Sequence, residues 1–541
     1  MMTRWFKNAI VYSLDVETYL DSNGDGVGDF QGLISKLDYL SGLGITCIWL
    51  LPFFPSPNRD NGYDVKDYYS VDSRLGDLGD FVQFMSKCHD LGIRVIIDLV
   101  INHTSIEHPW FLDARKSKDS PYRSFYIWSD RPLPFKKKEI VFPGEEDQVW
   151  TYDDAAQQYY FHRFYAEQPD LNIACEQLRK EILRIVEFWL YLRVDGFRID
   201  AAERVIELDG ASGNQRKMLD DFFETLRSFV ASKNPDAVLL AEANVAPKDI
   251  GLYLRRNQRM HMLFNFYINQ HIFLSLAKGD AKSLRAAFEK LPLCDDQQQW
   301  LNFLRHHDEL TLTLLSDEQR ALVFSQYAPQ KTMRIYNRGI RRRLAPMVAN
   351  DPRLLHLCYS ILFALPGAVL LRYGDEIGMG DNLNLDGRVS VRTPMQWSSS
   401  HNAGFSTANA RKIVHPIIKE GEYSFTRINV LAQQRDPNAL LNFIERMITT
   451  RKQTPEIGIG KYSFSKNTPS GILAHTCEHD NVKMFFCHNF KDEVTTLALS
   501  DFIPEHSAVF EILCDGESAV HDGLIILDGF GFIWLRVENK I

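Results

Sequence analysis

Along this chain, one apolar run after another closes on a carboxylate or a basic side chain. The run "RVIIDLVINH" (94–103) carries Asp98 and ends in Asn102 and His103, and "VDGFRIDAA" (194–202) presents Arg198 and Asp200. "AVLLAEAN" (237–244) reaches Glu242, and "WLNFLRHHDE" (300–309) closes on His306, His307 and Asp308. "AVLLRYGDE" (368–376) closes on Asp375 and Glu376, and the motif "NGYD" follows "TCIWLLPF" (46–53) and ends in Asp64. Any single acid of this kind reads equally well as a helix cap or a surface turn. The set does not, because clustered carboxylates repel one another and are costly to desolvate. Several carboxylates without a Ser-His-Asp set suit the cleavage of a glycosidic bond. There one carboxylate attacks the anomeric carbon, a second acid protonates the leaving oxygen, and the transition state is a cation that a third can stabilise. Arg198, two residues before Asp200 on a strand, points the same way and would hold Asp200 ionised by lowering its pKa.

A second polar motif stands near the start: "DSNGDGVGDF", residues 21–30, with Asp21, Asn23, Asp25 and Asp29 spaced by glycines and Val27. A phosphate cradle works through bare backbone N–H groups, which these carboxylates would crowd. The same oxygens suit a hard cation such as Ca²⁺, which takes six to eight oxygen ligands. The spacing matches the first half of an EF-hand loop, but Gly32 stands where the bidentate Glu belongs. On residues alone a solvated turn fits as well.

These side chains need elements to position them. Eight short runs, apolar throughout rather than alternating, recur at 9–17, 46–53, 94–103, 194–202, 237–244, 262–267, 300–309 and 368–376, with helical stretches between them such as 30–44 and 80–92. Runs of that kind predict parallel strands buried on both faces, and eight of them close a (β/α)₈ barrel whose chemistry sits at the C-terminal strand ends. The barrel is expected over 1–103 and 172–455. About seventy residues after "INHT" are too many for a simple loop and predict an inserted subdomain at 104–171. A second insertion, 309–352, reads as helical, and its basic run "RIYNRGIRRRL" (334–344) reads as a solvated helix face. From 456 to 541 short alternating segments predict an all-β sandwich domain.

Composition narrows the function further. The 541 residues are 45% hydrophobic, enough for a large core, and the net charge of −9 argues against a nucleic-acid partner. The eight cysteines are scattered without a Cys-x-x-Cys pair, as in a reduced, cytoplasmic protein. No signal peptide and no bilayer-spanning run is visible, so no membrane partner is expected. Whether the chain self-associates is left open.

The segments "DLVINHT", "GFRIDA", "LLAEAN" and "FLRHHDE" resemble, in order, the four short motifs of the α-amylase superfamily, glycoside hydrolase family 13. "NGYDVKDY", "YGDEIGMGDN" and "RTPMQWSSSHNAGFS" extend the resemblance over nearly the whole chain. It implies a retaining double displacement on a small α-glucoside, with Asp200 as nucleophile, Glu242 as acid/base and Asp308 as stabiliser. It also implies that Tyr63, Asp64, His103, Arg198 and His307 hold the glucose. Segment 104–171 would be the family's B domain. Relatives with the same glycine-rich loop carry structural calcium there, which implies ligation by Asp21, Asn23, Asp25, Asp29 and the Val27 carbonyl. A second calcium would use Asn102 and Asp170. Within the family the wording favours the trehalose-synthase branch, which interconverts maltose and trehalose. An α-glucosidase or a transferase to another acceptor is the alternative, and a non-catalytic binding subunit is disfavoured because the trio is intact. The departures are His306, Arg372 and the segment 201–207, all beside the expected pocket.

Overall fold

A computed structural model of the chain describes residues 4–135, 140–205, 213–254, 257–504 and 506–539. The eight apolar runs form eight parallel strands: β1 (Ile10–Leu14), β2 (Cys47–Leu50), β3 (Arg94–Leu99), β4 (Gly196–Ile199), β5 (Val238–Ala241), β6 (Met262–Phe264), β7 (Gln299–Phe303) and β8 (Ala368–Arg372). Each pairs with its sequence neighbours, and β8 returns to β1, so the sheet closes into a barrel.

Period-two alternation splits every strand between two cores. Val11, Cys47, Trp49, Ile96, Val238, Leu240, Phe264, Leu301, Phe303 and Leu370 fill the barrel interior. Their neighbours Ile10, Tyr12, Ile48, Leu50, Val95, Ile97, Phe197, Leu239 and Leu371 pack outward against the helices. Because both faces are buried, the runs read as continuously apolar. The interior column turns polar at its C-terminal end. Two steps beyond Ile96 stands Asp98; two and four beyond Gly196 stand Arg198 and Asp200; two beyond Leu240 stands Glu242. Gly196 itself is required by crowding, since a Cβ there would lie 2.6 Å from Val238 Cγ2.

Between β3 and β4 the chain forms a small antiparallel sheet of Trp128–Ser129, Gln158–Phe161 and Trp150–Asp153. The insertion after β7 is only partly helical. It has the helix Asp317–Tyr327, set by a Ser316/Gln319 capping box, and then a three-stranded antiparallel sheet of Leu310–Thr311, Gly339–Ile340 and Arg334–Ile335. The basic run therefore folds as a hairpin, not as a solvated helix face. Arg338 donates to the Val141 carbonyl (2.7 Å), Arg341 to the carbonyls of Leu383 and Leu385, and Arg342 pairs with Asp381 (3.3 Å). Arg343 is buried against Asp375 and the Tyr373 carbonyl. The arginines are consumed in tying the insertion to its neighbours.

After the helix Leu440–Gln453 the chain turns to β structure. Five strands (Lys461–Phe464, Ile472–His479, Val482–Asn489, Phe532–Asn539, Ser507–Cys514) form one antiparallel sheet and three (Thr495–Ala498, Leu524–Leu527, Ala519–His521) a second. Ile472, Phe485, Cys487, Leu497, Ile525 and Ile533 make an apolar core that both sheets share. All eight cysteines are free, and among the described residues no helix is long and apolar enough to cross a membrane.

Candidate active site

The polar ends of the interior columns meet around Arg198. Its Nη1 lies 2.5 Å from Asp98 Oδ1 and 2.5 Å from Asp200 Oδ1, and its Nη2 lies 2.8 Å from Glu242 Oε2. Trp49 Nε1 donates to the other oxygen of Asp98 (2.8 Å) and fixes that carboxylate. Ala201, next to Asp200, is held at φ +43° and donates its N–H to Glu242 Oε2 (3.0 Å). A left-handed alanine costs about 1 kcal/mol, and the turn it makes carries Asp200 to within reach of Glu242.

Asp308 sits in a different field. Arg392 Nη2 is 2.7 Å and Arg388 Nη1 3.1 Å from its Oδ1, and His307 Nε2 is 3.2 Å from its Oδ2. Despite burial, Arg388, His307 and Arg392 hold its pKa well below the usual carboxylate range. Asp200 and Glu242 go the other way. Burial pushes each up to about 7 against the pull of Arg198, with neighbouring carboxylates adding to the rise. Arg198 does pull Asp200 down, as expected, but burial outweighs it, and the one guanidinium is shared by three carboxylates.

Tyr63, His103, Asp200, Glu242 and Asp308 line a narrow inner chamber of about 50 Å³, together with Asp60, Phe164, Ala201 and Arg388. Glu242 and Asp308 also face an outer chamber of about 630 Å³. Arg198 and His307 stand behind the inner wall, where Tyr63 Oη meets His307 Nε2 at 2.9 Å with the two rings stacked. His103, packed against Phe164, has a buried Nε2 with no partner among the described residues. Burial lowers it to about 4 and His307 to about 3, so both are neutral rings.

Not every expected residue joins the site. Asp64 does not line the chamber. Ser56 Oγ (2.8 Å) and the backbone N–H groups of Asp60 and Arg59 occupy its two oxygens, so it closes its own turn. Asp60, four residues earlier, takes the place in the wall that Asp64 was expected to fill. Asp375 and Glu376 stay outside as well: Glu376 is fully buried and accepts from Tyr12 (2.8 Å) and Tyr39 (2.9 Å). Asp60, Phe164, Arg388 and Arg392 were not singled out from sequence. The departures have local explanations. His306 Nδ1 accepts the Asp308 N–H (3.1 Å), as an asparagine oxygen would, and its carbonyl accepts from buried Arg372 (3.0 Å). Within 201–207, Glu203 and Arg204 line the outer chamber, while Ile206 and Glu207 fall outside the described residues.

In the opening loop, Asp21 accepts from the N–H groups of Asn23, Gly24 and Gly26 and from Ser406 Oγ. Asn23 accepts from the Asp25 N–H, Asp25 from the Val27 N–H, and Asp29 from Ser22 and the Gly32 N–H. At the other expected cation position Asp170 faces Arg163 Nε at 3.6 Å. Among the described residues, three acidic or imidazole ligand atoms gather within 4.8 Å at His306, His307 and Asp308. Asp21, Asp25 and Asp29 do not form such a group.

With this geometry in hand, comparison with known proteins is specific. Residues 16–460 match the model of the alpha amylase catalytic domain. The chain belongs to the α-amylase family. It is 40% identical over 551 residues to the trehalose synthase of Pimelobacter sp. (strain R48), covering 99% of this chain and 96% of that protein. It is also 40% identical over 475 residues to the trehalose synthase/amylase TreS of Mycobacterium tuberculosis (strain CDC 1551 / Oshkosh), covering 87% of this chain and 79% of that one. Among solved structures, the α-amylase from H. orenii superposes with a TM-score of 0.81 at 25% identity, over 98% of this chain and 100% of that one.

Proposed function

We propose that this chain is a retaining α-glucosyl-transferring enzyme that interconverts maltose and trehalose. Asp200 attacks the anomeric carbon and forms the glucosyl ester. Glu242 protonates the leaving oxygen and then, as a base, activates the hydroxyl that attacks next. Asp308, kept ionised by its arginines, faces the developing cation. The observation that carries the reading is geometric: Arg198 lies 2.5 Å from Asp200 and 2.8 Å from Glu242, and burial raises both carboxylates, so that when the pair holds one proton it is one nucleophile and one acid.

Isomerisation in place of hydrolysis requires that the released glucose stay while water is kept out. Support comes from the roof over the chamber. Phe142, from the segment after β3, packs on Tyr336 of the hairpin at 4.9 Å between ring centroids, and Arg388 lies over both rings. Arg388 also grips Asp308 and Glu309, so the roof is tied to the catalytic loop. Maltose incubated with the enzyme should yield mainly trehalose, with glucose as the minor product. Nearly complete conversion to glucose would make the enzyme an α-glucosidase.

The same proposal includes one structural Ca²⁺ in the opening loop. The side-chain oxygens of Asp21, Asn23, Asp25 and Asp29 and the Val27 carbonyl supply the hard donors such an ion requires. The loop's own hydrogen bonds already keep it folded, so the ion would add stability and take no part in the chemistry. At Asp170 the Arg163 guanidinium already supplies a positive charge, and the proposal is confined to the single ion.

A further inference from the structure

At the end of the barrel opposite the catalytic chambers lies another cavity, of about 380 Å³, which shares no lining residue with them. Its walls come from segments that lead into strands, not out of them: Arg4 before β1, Arg227 and its helix before β5, Asn257 and His261 before β6, Gln297 before β7. Neither cationic group in this wall forms an ion pair among the described residues. Arg227 is only 8% exposed. Its Nη1 donates to the Arg259 carbonyl at 3.1 Å, and among the described residues its other nitrogens meet no partner. Among the described residues no carboxylate forms an ion pair with it, although a buried guanidinium is nearly always paired. Arg4 is a second cation on the same wall, and with burial it pushes Arg227 down to about 10.

His261 contributes the third group. Its Nδ1 accepts the Leu239 N–H at 2.9 Å, which places the ring proton on Nε2, and that N–H has no partner among the described residues. Burial and the two arginines keep the ring neutral. The acidic group on the wall, Glu224, is engaged by Arg259 Nε at 3.4 Å. Asp295 attracts Arg227 from outside the wall but forms no ion pair with it, so the chamber presents two guanidinium groups and an imidazole N–H that no carboxylate meets directly among the described residues.

We propose that this cavity is a binding site for a small phosphate dianion, either the phosphoryl group of a phosphorylated sugar or inorganic phosphate. Guanidinium forks match the oxygens of phosphate, two cations balance its charge, and the Gln297 amide lines the remaining space beside Asn257, whose Nδ2 is held by Asp295 at 2.6 Å. The volume lies at the low end of the roughly 300–1,000 Å³ typical of small-molecule sites, so an organic group fits beside the phosphate. Bound ligand stabilises the fold by mass action.

The test is titration calorimetry and thermal melting at fixed ionic strength with glucose 6-phosphate, inorganic phosphate and glucose as probes. Both phosphates should bind and raise the melting temperature, and glucose should not raise it through this site. Arg227→Gln should weaken phosphate binding by about tenfold or more, and Arg4→Gln by severalfold, with maltose turnover unchanged. Tighter binding of glucose 6-phosphate than of phosphate identifies a phosphorylated sugar as the ligand; equal binding identifies free phosphate. Should Arg227→Gln fail to fold, exposed Arg4 carries the test. Absence of phosphate binding, or binding undiminished in the variants that fold, overturns the proposal.

Discussion

Arg198 carries one positive charge and touches Asp98, Asp200 and Glu242. That ratio governs the chemistry, because the Asp200–Glu242 pair is competent only when it holds one proton. The rate should therefore follow a bell centred near pH 7, falling as the pair takes a second proton in acid and loses its only one in alkali. A plateau extending from pH 5 to pH 9 in kcat/KM would refute this coupling. Asp200→Asn should lower turnover by more than a hundredfold, about 2.7 kcal/mol of barrier, with the circular dichroism spectrum unchanged. At this scale the sequence was legible wherever a residue's direction follows from strand alternation, as for Asp98, Arg198, Asp200 and Glu242. It was not legible where a loop decides. Asp60 and Asp64 lie four residues apart in one turn, and only the folded turn shows that Asp64 is consumed by backbone N–H groups while Asp60 faces the chamber. Arg388 lies 80 positions beyond Asp308, too far for any local pattern to link them.

Among the elements, the hairpin after β7 and the excursion after β3 meet through Phe142, Tyr165 and Tyr336, beside the outer chamber that Val141 and Arg338 line. Each aromatic contact is worth about 0.5–1.5 kcal/mol, enough to hold a roof shut yet allow it to open. Tyr336→Ala should raise the share of free glucose released per maltose cleaved while changing cleavage itself much less; an unchanged share would acquit the roof of excluding water. Arg341→Ala with Arg342→Ala, which frees the hairpin base from Leu383 and Asp381, should act in the same direction. The hairpin was misread from sequence because its arginines suggest solvent, whereas their partners are carbonyls and two aspartates, Asp375 and Asp381. The loop at 21–29 belongs to this scale as well. A chelator should lower the melting temperature and added Ca²⁺ restore it, and Asp21→Ala with Asp25→Ala should abolish the difference. Elemental analysis finding no calcium in the purified protein, with melting indifferent to chelator, would remove the ion from the account.

Over the whole molecule, the C-terminal sheet docks on the barrel through buried histidines. His475 Nε2 meets the Ala364 carbonyl at 3.0 Å, and His488 Nε2 meets Ser360 Oγ at 2.9 Å. Burial lowers the two rings to about 4 and about 3, below the ordinary 6.5. Their contribution to stability is complete above pH 6.5 and is lost as the pH falls toward 4, because the unfolded chain takes up protons that the folded one refuses. His475→Gln should therefore flatten the fall in melting temperature between pH 6.5 and 4; an equally steep fall would place the acid sensitivity elsewhere. The barrel was readable in the sequence because burial on both faces makes each strand a continuous apolar run. The docking was not, since His475 and His488 pair with barrel residues more than a hundred positions away. The central claim concerns a glucose that never leaves: cleavage and transfer take place beneath one closed roof. Unlabelled maltose should be converted in the presence of excess ¹³C-glucose, and the trehalose formed analysed by mass spectrometry. The account predicts trehalose essentially free of label; label incorporated in proportion to the free glucose would contradict it.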